Sequence, residues 1–168
     1  VGKTTLVKRV IEEVGTDGVI GFVTEEIREG GVRLGFTLKT LDGLERILAH
    51  KKGASNYRVG RYRVFVDAVD EVVARIESDF VSARALIVDE IGKMECFSEK
   101  FNSFVTRALE EEKLFFLATV AARGEGLIED IKKREDVEIY RVTLENRNAL
   151  KKEISRRLRS WLRMGGNM

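Results

Sequence analysis

Val1-Gly2-Lys3-Thr4 opens the chain, and Ala85-Leu86-Ile87-Val88-Asp89-Glu90 follows about 85 residues later. The first stretch reads as the second half of a phosphate-binding loop, G-x-x-x-x-G-K-[ST]. In such a loop Lys3 reaches the β- and γ-phosphates, the Thr4 hydroxyl binds Mg²⁺, and backbone N–H groups entering the next helix cradle the anion. Taken alone, the four residues read equally as a glycine, a surface lysine and a helix start. Their context decides between the two. Leu6, Val10, Ile11 and Val14 fall on one helical face, and Gly15 ends the run. The second stretch is a short buried-strand pattern ending in two carboxylates, the form of a Walker B strand. The first glycine of the loop and three of its four intervening residues do not precede Val1. The expectation is therefore a chain that begins inside the loop of a longer protein, with the N-terminal strand and the first half of the loop missing.

Working outward, Val19 to Val23 reads as a buried strand, followed by a polar stretch over residues 24–31. Val32, Leu34, Phe36 and Leu38 alternate with other residues, Asp42-Gly43 supplies a hairpin turn, and Leu44 to Ala49 forms the return strand. Tyr57 to Val66 is a further strand-like run bent at Gly60. Asp67 caps a helix running to about Phe80. Ser98 caps another from about Glu99 to Glu112. Leu114 to Val120 reads as a buried strand, Leu127 to Lys133 as a helix, and Val137 to Val142 as a strand. Asn146 caps the last helix. Strands alternating with helices predict an α/β fold of the P-loop type: a mainly parallel sheet with helices on both faces and an inserted antiparallel region over residues 32–66. No linker divides residues 1–168, so one domain is expected.

Composition excludes several classes. The hydrophobic fraction is 43%, enough for a globular core. No apolar run approaches the roughly 20 residues of a membrane span, and no signal peptide is visible. One cysteine, Cys96, leaves no internal disulfide and fits a cytoplasmic location. His50, the single histidine, reads as a surface loop residue, so histidine chemistry is not expected. Charged residues make up 35% of the chain, above the roughly 25% of ordinary domains, a bias associated with thermophile proteins. Eight basic side chains between Arg141 and Arg163 face only Glu145 and Glu153. Leu150, Ile154, Leu158 and Leu162 repeat at helical spacing through the same segment. Its bases are therefore read as a solvated helix face rather than a nucleic-acid surface.

The chemistry follows from phosphoryl transfer, which needs charge neutralised and a nucleophile placed in line. Lys3 and Thr4 supply the first part. Asp89 holds the Mg²⁺ with Thr4. Glu90 is the candidate general base for an attacking water. Thr119, at the end of the next strand, either senses the γ-phosphate or is a plain strand residue. Gly92 lets the chain turn beside the phosphates, and Lys93 adds positive charge there. Met94 and Cys96 read as packing residues. Arg28, Arg33, Arg123 and Arg147 are four candidates for an arginine on the phosphates.

The run Val88-Asp89-Glu90-Ile91-Gly92-Lys93-Met94-Glu95 is more specific than a generic Walker B strand. It is accompanied by Gly21-Phe22-Val23-Thr24-Glu25-Glu26-Ile27-Arg28, Arg33-Leu34-Gly35-Phe36, Val59-Gly60-Arg61-Tyr62 and Glu145-Asn146-Arg147-Asn148. Together these blocks resemble the nucleoside-triphosphatase family first described in thermophiles, from Val1 to about Leu158. The resemblance implies a RecA-like P-loop domain. It also implies Mg²⁺-dependent hydrolysis of ATP, GTP, CTP and UTP to diphosphate and phosphate, with broad base tolerance and slow turnover. It places nucleotide contacts on Val1, Gly2, Lys3, Thr4 and Thr5 and on Val88, Asp89, Glu90, Ile91, Gly92, Lys93, Met94 and Glu95, with Lys3 and Glu90 catalytic and Thr4 and Asp89 on the metal. The family's Thr-Glu-Glu-x-Arg block corresponds to Thr24, Glu25, Glu26 and Arg28, and its Asn-Arg pair to Asn146 and Arg147. A nucleotide or nucleoside kinase and a nucleotide-dependent switch are the competing readings. A monomer is expected, with no membrane and no nucleic-acid partner.

Overall fold

The computed structural model describes residues 2–165; the expected contact of Val1 lies outside them. The elements in chain order are α1 (Lys3–Val14), β1 (Val19–Glu29), β2 (Val32–Thr40), β3 (Glu45–His50), β4 (Tyr57–Val59), β5 (Tyr62–Val64) and α2 (Val66–Glu77). They continue with β6 (Ala85–Ile91), a 3-10 turn (Glu95–Phe97), α3 (Glu99–Glu110), β7 (Phe115–Val120), α4 (Leu127–Lys133) and α5 (Arg147–Gly165).

The described strands form one sheet in the order β4-β5-β3-β2-β1-β6-β7. β1, β6 and β7 run parallel. The inserted segment is antiparallel and extends the same sheet outward from β1. Helices cover both faces, each with its own core. On one face α2, α3 and α4 pack on Phe22, Leu38, Leu48, Leu86 and Val88. On the other, Leu6, Val7 and Val10 of α1 and Leu150, Ile154 and Leu158 of α5 pack on Val19, Val23, Ala85 and Ile87. This is the three-layer α/β architecture that the alternating pattern predicts. β6 is buried along nearly its whole length, as a strand covered on both faces must be.

Two glycines shape the centre. A methyl group at Gly21 would sit 1.8 Å from the carbonyl oxygen of Ile87, so β1 can approach β6 only with glycine there. Gly15 ends α1 at φ 86°, a conformation that costs little without a Cβ.

Several expectations need correction. First, β1 does not stop at Val23 but runs to Glu29. Its polar half pairs with β2, and that ladder satisfies the backbone where no apolar signal marks a strand. Second, residues 137–142 form no strand. No ladder pairs this segment with the described sheet, which ends at β7, and Ile139 and Tyr140 stay exposed. Third, α2 begins at Val66, and no side chain caps it. Fourth, Asn146 is not a simple cap. Its Oδ1 accepts from the N–H of Thr143 at 2.7 Å and its Nδ2 donates to the carbonyl of Arg141 at 2.8 Å. Ser98 does cap α3, accepting from the N–H of Phe101 at 3.0 Å. His50 ends β3 rather than lying in a loop, and its Nδ1 accepts from the N–H of Lys52.

The basic last helix is largely neutralised. Lys151 and Arg159 reach Glu13 of α1, Arg156 pairs with Glu153, and Arg157 with Glu138. These are surface pairs of small individual worth, and they bear out the solvated-face reading. Among the described residues no helix is long and apolar enough to cross a membrane.

Candidate active site

Gly2 adopts a left-handed conformation (φ 82°) and leads directly into α1. The N–H groups of a helix's first turn have no intrahelical partner. Those of Lys3, Thr4 and Thr5 are therefore free of helical bonds at the positive end of the helix dipole, where an anion is favoured. The parallel pairing of β1, β6 and β7 brings the carboxyl ends of those strands to this same edge of the sheet.

The side chains converge there. Lys3 Nζ donates to Glu90 Oε2 and to the carbonyl oxygen of Val120, each at 3.0 Å. Thr4 Oγ1 donates to Asp89 Oδ1 at 3.2 Å. Thr119 Oγ1 donates to the same oxygen at 2.7 Å. The N–H of Thr24 approaches Asp89 Oδ2 at 3.4 Å, and the Thr24 hydroxyl donates to the Asp89 carbonyl. Asp89 is thus held by two neighbouring strands and a helix at 1% exposure. Burial pushes its carboxyl above the ordinary range, and the bonds from Thr119, Thr4 and Thr24 oppose that shift. Thr119 and Thr24 orient Asp89, a role that strand position alone did not reveal.

Thr4 and Asp89 are both hard oxygen donors brought to contact distance. That set suits Mg²⁺, which takes one or two protein oxygens, keeps several waters and completes its shell with substrate phosphate. Glu90 is different in character from Asp89. Its side chain is 36% exposed against 33% for Lys3, so it is open to water.

The remaining contact residues divide. Thr5 and Lys93 are exposed. Val88 and Ile91 lie in the core at 0% and 1% exposure, and Met94 packs against it. Cys96 is also packed against the core, and burial pushes its thiol up to about 12, which leaves it protonated. Of the four arginines, Arg28 pairs with Glu26 and Arg33 contacts Glu26 and Tyr62 at the outer end of β1 and β2. Arg123 is exposed. Arg147 lies beside the loop: a methyl group at Gly2 would sit 3.9 Å from its Nη1.

Glu95 is the least legible member of the group. It is 4% exposed, and its Oε2 accepts from the N–H of Gly92 at 3.2 Å. Burial, then the charge of Glu90, push its carboxyl up from 4.5 to about 8. Between these values the folded chain holds a proton that the unfolded chain has released. The stabilising contribution is therefore complete below about pH 4.5 and is lost as the pH rises through about 8. We expect the melting temperature to fall across this window, by an amount worth on the order of a few kcal/mol. Glu95→Gln should flatten that slope. Melting curves of both proteins from pH 5 to 9 test this, and parallel slopes would remove Glu95 as the source.

Comparison with known proteins identifies the family. Residues 1–155 match the family described as NTPase. The chain is 44% identical over 155 residues to the nucleoside-triphosphatase THEP1 of Thermotoga maritima, covering 92% of this chain and 87% of that protein. It is 38% identical over 169 residues to the human cancer-related nucleoside-triphosphatase, covering 92% and 89%. The crystal structure of THEP1 from the hyperthermophile Aquifex aeolicus superposes with a TM-score of 0.84 at 35% identity, over 92% of this chain and 91% of that one. The chain belongs to the nucleoside-triphosphatase family, and it is a hydrolase of nucleoside triphosphates.

Proposed function

We propose that residues 1–168 act as one domain that hydrolyses ATP, GTP, CTP and UTP to the diphosphate and phosphate, with Mg²⁺ and little preference for the base. The observation that carries this reading is the meeting of Lys3, Thr4, Asp89 and Glu90 at one edge of the sheet. Lys3 and the free N–H groups of the first turn bind the phosphates. Thr4 and Asp89 would hold the Mg²⁺, which supplies charge neutralisation on the phosphate oxygens when bound. Glu90 accepts a proton from water as the water oxygen bonds to the γ-phosphorus. The bond from that phosphorus to the β,γ-bridging oxygen breaks, and its electron pair leaves with the diphosphate.

Glu90 favours hydrolysis over transfer to another acceptor, because a half-exposed carboxylate beside the phosphate lysine can reach water directly. The test is phosphate release from each of the four triphosphates, with and without Mg²⁺ and with no acceptor added. Release from all four that requires Mg²⁺ supports the proposal. Release only after addition of an acceptor would replace it with the kinase reading. Binding with phosphate release only in the presence of a partner protein would favour the switch. A cytoplasmic location fits the single unpaired cysteine.

A further inference from the structure

Most cations of α5 are already paired. Lys151 and Arg159 are held by Glu13, and Arg157 by Glu138. Arg147, the first residue of the helix, is half-buried and pairs with no carboxylate among the described residues. It is placed with care nonetheless. Asn146 closes the preceding turn through its bonds to Thr143 and Arg141. The N–H of Arg147 donates to the carbonyl of Thr143 at 3.1 Å, and that of Leu150 to the carbonyl of Asn146 at 2.8 Å. One turn on, Leu150, Ile154 and Leu158 lock α5 onto Leu6, Val7 and Val10 of α1. The helix that carries Arg147 is therefore packed on the helix that the loop opens into. Nη1 comes within 3.9 Å of where a Gly2 side chain would begin. A guanidinium with no carboxylate partner among the described residues, fixed beside a loop whose first-turn N–H groups favour an anion, has the chemistry to bind phosphate.

We propose that Arg147 binds the polyphosphate chain of the substrate from the α5 side of the loop, so that the site has two cationic side chains on the phosphates, Lys3 and Arg147. The assignment rests on the nucleotide-hydrolysis reading above. It also gives the Asn146 turn a purpose: Asn146 positions Arg147 rather than capping a helix. An arginine that grips phosphate rather than base is indifferent to which nucleoside it receives, in keeping with broad base tolerance.

The test compares the unsubstituted chain with Arg147→Ala, Arg147→Gln and Arg147→Lys, by calorimetric titration with Mg²⁺ present. Two probes are used: inorganic tripolyphosphate and the β,γ-imido analogue of ATP. The expected result is a loss of about tenfold or more in affinity for both probes in the Ala and Gln variants, the scale of one charged hydrogen bond. The Lys variant should recover part of it, and the melting temperature should change little, because Arg147 belongs to neither hydrophobic core. The Gln variant keeps the question answerable should the Ala variant fold poorly. Weakened binding of the ATP analogue with unchanged binding of tripolyphosphate would place the guanidinium on the nucleoside and overturn the assignment. Unchanged binding of both probes would overturn it as well, leaving the hydrolysis reading intact. Failure of the unsubstituted chain to bind either probe would overturn the hydrolysis reading and this assignment together.

Discussion

Glu90→Gln lowers phosphate release by roughly two to four orders of magnitude while leaving nucleotide binding in place. The substitution keeps the shape of the side chain and removes only its capacity to accept a proton. Glu90 sits 3.0 Å from Lys3 through Oε2, half-exposed at the carboxyl end of β6. It has no bond from Thr4, Thr24 or Thr119; all three of those go to Asp89. The two adjacent carboxylates therefore differ in their surroundings. Asp89 is buried, immobilised and spoken for by hydroxyls, whereas Glu90 is open to water. If Glu90 served only to fix Lys3, the amide of glutamine would still offer Lys3 an acceptor oxygen, and turnover would fall modestly. Single-turnover phosphate release beside binding of a non-hydrolysable analogue separates the two cases. Turnover near the unsubstituted level would remove Glu90 as the base.

The contact between Lys3 and Glu90 has a consequence for the order of events. An ion pair as exposed as this one contributes about 1 kcal/mol or less. A triphosphate arriving at the loop offers Lys3 several charged oxygens, each bond worth about 1.5–3 kcal/mol. The phosphate contact wins the competition, and Lys3 leaves Glu90. The carboxylate is then free to take a proton from water at the moment the phosphates are in place. On the proposed mechanism, substrate binding and activation of the base are linked through one lysine.

How much of this was legible in the sequence depends on what kind of signal each residue carries. Lys3, Thr4, Asp89 and Glu90 announce themselves, because phosphate and metal chemistry admits few residue types and the neighbouring helix and strand patterns place them. The layered fold follows from the same periodicities. The outer half of β1 was not legible, since Thr24 to Glu29 carries no apolar alternation and is a strand only because β2 pairs with it. The region 137–142 erred the other way: its pattern suits a strand, yet a strand needs a ladder and none reaches it. Thr119 stays open between two readings in the sequence, because a hydroxyl at a strand end gives no hint of which neighbour it bonds; its bond to Asp89 is a tertiary contact. Glu95 was named only through a family motif. Its burial comes from the 3-10 turn folding it under Gly92, a tertiary event with no periodic trace. Arg147 is one of four candidate arginines in the sequence, three of them in blocks of the resemblance, and its place beside Gly2 separates it from the rest.

Lys3→Ala is expected to weaken triphosphate binding by about tenfold to a hundredfold and to lower hydrolysis further. The larger loss in hydrolysis follows because negative charge on the transferring phosphate must be matched as it is redistributed, and Lys3 is the cation nearest Glu90. The fold should be almost untouched. Lys3 opens α1 at the surface end of the helix, its pair with Glu90 is partly solvated, and the core contacts of α1 begin at Leu6. A shift of the melting temperature of more than a few degrees would therefore mean that the residue serves structure. Lys3→Arg should not rescue the activity. A compact ammonium reaches both Glu90 and the carbonyl of Val120 at 3.0 Å, whereas a planar guanidinium projects its donors as a fork and needs more room. Titration of the same non-hydrolysable analogue into the three proteins gives the answer. Equal affinity for all of them would end the reading of residues 2–5 as a phosphate loop, because no other group on that turn has the charge or the reach to take the place of Lys3.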